Sequence, residues 1–214
     1  MTRPIGILGG TFDPVHHGHL RMALECYERL DLSEVRLIPL HTPPHRNLPV
    51  ATPEQRLAML ELAINNLQGL TVDDCELHRQ NISYTIDTLQ LVRQKVGNTP
   101  LCLLIGTDAF KTLNTWHNWQ ALLEQTHIVI AERPGSPVKP ESSELAELLK
   151  QHGTGEMSQL HEQPSGRIYE VFMPLLDISA TQIRDIFHTK RNPDFLLPDE
   201  VIDFIYTNNI YQTG

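Results

Sequence analysis

The chain has no long apolar run, few cysteines and fewer bases than acids. None of its apolar stretches approaches the ~18 residues read as a membrane-spanning helix. The stretch ahead of Thr11-Phe12-Asp13 is too short for the apolar part of a secretory signal. The expected compartment is therefore the cytoplasm, with no membrane partner. Cys26, Cys75 and Cys102 are far apart and odd in number. With no CxxC pair, they argue against a disulfide framework or a cysteine-rich zinc site and fit a reducing compartment. Lys+Arg number 17 against 26 Asp+Glu, a net charge of −9. Such a balance grips nucleic acid poorly, so no nucleic-acid partner is expected. It leaves small anionic ligands open, because these respond to local charge, and the 11 histidines suffice to reverse the sign if protonated. Internal repeats, low-complexity tracts and the GxGxxG, GxxxxGK[ST] and HExxH fingerprints are also missing.

What is present is an ordinary globular composition over 214 residues, enough for one domain (1–214) with a sizeable core. Short apolar runs alternate with amphipathic ones. Pro4–Gly9, Val35–Leu40, Leu101–Ile105, His127–Ala131 and Ile168–Phe172 read as strands, and Leu70–Val72 as a short one. Leu20, Leu24, Tyr27 and Leu30 follow helical spacing. Thr52-Pro53-Glu54-Gln55 opens a second helix with Thr52 as N-cap, Pro53 at the first helical position and Gln55 completing a capping box. Leu57, Leu60, Ile64 and Leu67 are expected on its inner face, and Tyr84–Val96 forms a third helix. Strands apolar on both faces belong to parallel sheets covered by helices on both sides, so the expected class is α/β, a doubly wound, Rossmann-like parallel sheet. Residues 134–165, rich in Pro and Gly around a helical stretch at Ser143–Gln151, read as a peripheral insertion. Residues 179–214 read as a C-terminal helical part.

Two segments carry chemistry. The first strand runs into Gly9-Gly10-Thr11-Phe12-Asp13-Pro14-Val15-His16-His17-Gly18-His19. In a doubly wound sheet, ligands bind at such strand ends. Gly9 and Gly10 let a phosphate approach the backbone. His16 and His19, three apart at a helix start, share one face and supply donors suited to charge developing on a transferring phosphate. A histidine helix cap, a polar turn filler and a metal site are the competing readings. No carboxylate at ligand spacing supports a metal. The second segment is Ile178-Ser179-Ala180-Thr181-Gln182-Ile183-Arg184. Here Ser179 and Gln182 make a capping box and Ile178 and Ile183 occupy staple positions. The amides of Ala180 and Thr181, the Thr181 hydroxyl and Arg184 remain for a phosphate.

GGTFDPVHHGH paired with ISATQIR resembles the nucleotidyltransferase superfamily that bears an (H/T)xGH motif. Pro43-Pro44-His45-Arg46, Ser83-Tyr84-Thr85, Gly106-Thr107-Asp108, Thr115-Trp116, Arg133-Pro134 and Leu197-Pro198-Asp199-Glu200-Val201 occur in the order found in bacterial nicotinate-nucleotide adenylyltransferases, and the resemblance spans essentially the whole chain.

The resemblance implies transfer of AMP from ATP to nicotinate mononucleotide in NAD biosynthesis, with Mg²⁺ accompanying ATP. It places Gly9, Gly10, Thr11 and Phe12 at the phosphates. His16 and His19 act on the triphosphate, with His19 foremost at the α-phosphate. Arg46 lies on a phosphate, and Gly106, Asp108 and Arg133 near the adenosine. Thr85, Trp116 and His117 hold the nicotinate, with the Trp116 indole stacked on its ring. Ser179, Thr181 and Arg184 grip the leaving pyrophosphate. Read alone, Trp116 also fits a core position, Arg133 a solvated strand end, and residues 41–51 a passive linker. Alternatives for the function are an adenylyltransferase for nicotinamide mononucleotide or another phosphate acceptor, and a nucleotide sensor without turnover. An aminoacyl-tRNA synthetase is disfavoured by the missing KMSKS-like segment, the short chain and the acidic charge.

Overall fold

A computed structural model describes residues 2–41, 48–79, 84–132, 140–174 and 176–212. The chain runs β1 (Ile5–Gly10), α1 (His17–Arg29), β2 (Glu34–Pro39), α2 (Pro53–Ile64), β3 (Leu70–Val72), α3 (Thr85–Val96), β4 (Leu101–Gly106) and α4 (Thr107–Lys111). It continues through α5 (Leu122–Gln125), β5 (His127–Glu132), α6 (Ser143–His152), β6 (Gly153–Thr154), α7 (Gln159–Glu162), β7 (Ile168–Phe172), α8 (Ala180–His188) and α9 (Asp199–Thr207). The strands form one sheet in the order β3-β2-β1-β4-β5-β7-β6, and every pairing is parallel.

Period-two alternation explains why both faces are covered. Leu8, Leu37, Leu104 and Val129 face a core built with α1, α2, α8 and α9. Ile7, Ile38, Leu103, Ile105, Ile128 and Ile130 face the other, built with α3 to α6. A buried aliphatic side chain contributes about 1.5–3 kcal/mol, against about 1 kcal/mol for a helix cap. Strand burial therefore decides where the helices lie, and caps decide where they start. The chain steps from β1 outward to β2 and β3, then returns to β4 on the other side of β1. The carboxyl ends of β1 and β4 thus flank the switch point where open α/β sheets bind ligands.

Two inner faces differ from expectation. In α2 the buried residues are Arg56, Met59, Leu60 and Ala63; Leu57 and Ile64 are half-buried, and Leu67 lies beyond the helix and is exposed. In α1 the buried set is Leu20, Ala23, Glu25 and Cys26, with Leu24 and Tyr27 only partly covered. The inner face of α2 is turned by about one residue, with Arg56 reaching the strand exits, whereas in α1 Leu20 and Leu30 are buried as read and Ala23 and Cys26 complete the face. Glu25 is tolerated there because Arg21 and Arg29, one turn to either side, pair with its carboxylate. Within the Pro/Gly-rich stretch, α6 and α7 bury Leu145 and Leu160, and β6 pairs with β7 at the sheet edge. No helix among the described residues is long and apolar enough to cross a membrane.

Candidate active site

The loop from β1 to α1 is fixed from inside. Phe12 adopts a left-handed backbone conformation (φ 50°), and its buried ring packs on Gly10, where a Cβ would stand 3.0 Å from it. The same ring meets His19 edge-on, with centroids 5.0 Å apart. His16 is the N-cap residue of α1, but its side chain makes no capping bond. Its imidazole lies instead on that of His19, with centroids 3.7 Å apart and planes 26° off parallel. Gly18 permits this arrangement, since a Cβ there would stand 2.9 Å from His16 Nδ1. Nδ1 of His16, Nδ1 of His19 and Oγ1 of Thr11 are buried with no hydrogen-bond partner among the described residues. Three such groups between the end of β1 and the first turn of α1 are costly if left unpaired and call for a ligand or solvent partner.

Burial, with His17 nearby, pushes the His16 pKa down to about 4; burial and His16 push His19 well below the ordinary histidine value. Both rings are therefore neutral at pH 7 in the free protein. An arriving polyanion favours the protonated form and raises both values.

Asp13 ties the rest of the site to this loop. Its buried carboxylate accepts from the Tyr211 hydroxyl (2.7 Å) and the Ala51 amide (3.0 Å) at Oδ1, and from the Val50 amide (2.9 Å) at Oδ2. Its main-chain carbonyl accepts from Arg184 Nη1 at 2.6 Å, while Arg184 Nη2 donates to Thr181 Oγ1 at 3.2 Å. The two motifs, far apart in the chain, thus meet at Asp13. Beneath the loop, the fully buried guanidinium of Arg56 donates to the carbonyls of Thr11 (2.8 Å), Leu40 (2.6 Å) and His41 (3.2 Å). It fastens the exit of β1 to the exit of β2.

At α8, Ser179 Oγ accepts from the Gln182 amide at 3.2 Å. Only this half of the expected capping box forms, because the Gln182 side chain stays exposed and does not return to the Ser179 amide. At α2 the box is complete.

The remaining candidates lie on the other flank of the crevice. Thr85 opens α3 and lines a small cavity of about 20 Å³ with Gly9, Leu40, Glu76 and Thr88. The exposed His117 ring lies against Tyr84, with centroids 4.3 Å apart. Trp116 follows a 3₁₀ turn and is half-buried against the α3-side core, so part of its ring serves packing. Gly106 ends β4 facing open space, and Asp108, in the first turn of α4, is largely exposed near Lys111. Arg46 and Arg133 lie outside the described residues. Among those described, no three His, Cys, Asp or Glu side chains are grouped to hold a metal.

Sequence reasoning did not single out Arg56, Tyr211 or the Asp13 carboxylate. Arg56 had a signal: with Met59, Leu60 and Ala63 it follows helical spacing, a cation on an apolar stripe. Tyr211 had none, because its partner is 198 positions away.

The cytidylyltransferase-like family profile matches residues 7–186. A probable nicotinate-nucleotide adenylyltransferase of Aeromonas salmonicida is 46% identical over 210 residues, covering 98% of this chain and 97% of its own length. Its counterpart in a Pseudomonas aeruginosa strain is 45% identical over 213 residues, covering 99% of each. Among solved structures, the Plasmodium falciparum nicotinic acid mononucleotide adenylyltransferase complexed with NaAD superposes with a TM-score of 0.76 at 18% identity, covering 99% of this chain and 98% of that one. At that identity the likeness shows the fold. With the profile and the full-length relatives, it follows that the chain belongs to the cytidylyltransferase-like family, within the group of nicotinate-nucleotide adenylyltransferases.

Proposed function

We propose that the protein transfers the AMP moiety of ATP to nicotinate mononucleotide, forming deamido-NAD and pyrophosphate in NAD biosynthesis. The observation that carries this reading is the meeting of the stacked His16–His19 pair and Arg184 on one loop at the switch point. Full-length relatives named for this reaction support it.

The chemistry asks little of a base. The acceptor phosphate already bears a nucleophilic oxygen at neutral pH. That oxygen forms a bond to the α-phosphorus as the bond to the bridging oxygen of pyrophosphate breaks. The protein must hold the two reactants in line and stabilise the charge that develops. His16 and His19 are assigned to the triphosphate, His19 to the α-phosphate, next to the loop of Gly9, Gly10, Thr11 and Phe12. Gly9 leaves space, since nothing lies within 4 Å of where its Cβ would be. Ser179, Thr181 and Arg184 are assigned to the departing pyrophosphate, and Arg46 to a phosphate. Gly106, Asp108 and Arg133 are assigned to the adenosine. Mg²⁺ enters as part of the ATP substrate, neutralising its phosphates.

Thr85, Trp116 and His117 are assigned to the nicotinate. Thr85 is the first residue of α3, so its amide is among those that the helix leaves without an internal partner. A carboxylate accepts from such donors, whereas a carboxamide brings N–H groups of its own. Nicotinate and nicotinamide mononucleotides competing in one reaction with ATP test the assignment. Deamido-NAD should dominate the product. Equal kcat/KM for the two acceptors contradicts acid selection, and turnover of a different acceptor alone contradicts the reaction itself.

A further inference from the structure

Tyr211 is close to the C-terminus, outside both motifs, and none of the roles above uses it. Its ring is buried beside Phe187 of α8, with centroids 6.2 Å apart. Its hydroxyl supplies the one neutral side-chain donor to the Asp13 carboxylate among the described residues; the other two hydrogen-bond donors are the Val50 and Ala51 amides. Burial, and then Asp13 itself, push the Tyr211 pKa up, so the hydroxyl keeps its proton throughout the working range.

The geometry around Asp13 is finely divided. Arg184 Nη1 donates to the Asp13 carbonyl at 2.6 Å but stands 3.6 Å from Oδ2, beyond a short charge-assisted bond. Arg184 carries five N–H donors. Asp13 and Thr181 engage one each, and the side chain remains part-exposed. A carboxylate deprived of the tyrosine donor has unused acceptor capacity with a guanidinium beside it. With the Oδ1 donor lost, the less satisfied carboxylate would draw the 3.6 Å ion pair at Oδ2 into a short direct hydrogen bond and turn Arg184 away from phosphate.

We infer that Tyr211 is a positioning residue: its hydroxyl occupies Asp13 so that Arg184 stays available to the phosphate groups, and it holds the histidine loop and α8 at a fixed separation. The inference rests on the phosphate-transfer reading above.

The test is Tyr211→Phe, which keeps the ring and removes only the hydroxyl, made in the wild type and in Arg184→Ala. In the wild-type background, kcat/KM for ATP should fall about ten-fold, KM for nicotinate mononucleotide should stay within about two-fold, and calorimetric affinity for pyrophosphate should weaken about ten-fold. In the Arg184→Ala background the same change should have no further effect, because the residue through which Tyr211 acts is gone. An unchanged kcat/KM in the single variant overturns the inference. So does an equal loss in both backgrounds, which is the result a general packing defect or misfolding would give. Wild-type protein that releases no pyrophosphate overturns the transfer reading by itself. The pyrophosphate-binding comparison then still decides the role of Tyr211.

Discussion

At the scale of the residue, the site depends on placing groups where their preferred state is costly. His16 and His19 are stacked and neutral, His16 buried and His19 half-buried, with a buried Nδ1 on each ring that has no partner among the described residues. The contribution to stability has a definite sign. The folded-state pKa of His16, about 4, is below its unfolded value of 6.5. The unfolded chain therefore takes up its proton first as pH falls, and stability drops from about pH 6.5 down to about pH 4, by up to about 1.4 kcal/mol per pH unit for this group. Denaturant titrations of wild type and His16→Gln across that window should give a shallower fall for the variant. Identical slopes contradict a buried neutral His16. The cysteines are a contrast: burial pushes Cys26 and Cys75 each up to about 12 and raises Cys102 as well, so none is a reactive thiolate.

At the scale of the element, Arg56 joins two strand exits through three main-chain carbonyls, from a helix face that is otherwise apolar. Arg56→Met fills a similar volume but leaves those carbonyls without their donor. Each loss costs about 1–3 kcal/mol. The variant should lose about 3 kcal/mol or more in urea unfolding, and activity should fall with it because Thr11 is no longer held. A loss below about 1 kcal/mol would show the carbonyls to be satisfied in another way. The strands could be read because two-sided apolar runs have few other uses, and the α2 start because Thr52, Pro53 and Gln55 each serve one known end group. The inward face of α2 lies about one residue from the hydrophobic reading, while in α1 Leu20 and Leu30 are buried as read and Leu24 is only partly covered. Hydrophobicity favours Leu57 and Leu24 and passes over Arg56, whose burial depends on carbonyls distant in the chain, and Glu25, whose burial depends on Arg21 and Arg29 of its own helix. The second helix start kept Ser179 as cap but lost the Gln182 half of its box, since that bond competes with full solvation of an exposed amide side chain.

At the scale of the whole molecule, the parallel sheet order places the exits of β1 and β4 side by side, and the first and last motifs converge there. That Gly9 to His19 and Ser179 to Arg184 are candidate phosphate segments could be read from residue type and spacing. That they share Asp13 could not, because contacts across most of the chain leave no local pattern. The acidic balance of the chain is consistent with such a site: a few donors from distant segments converge, and the −9 charge is borne largely elsewhere. The claim that these donors act on the transferring phosphate is tested most directly by pyrophosphate release from ATP and nicotinate mononucleotide, measured for wild type and His19→Ala at saturating substrates. The variant should turn over about 10²–10³-fold more slowly, a loss of about 2.7–4 kcal/mol, with KM for ATP changed only a few-fold. Turnover within a few-fold of wild type would contradict it.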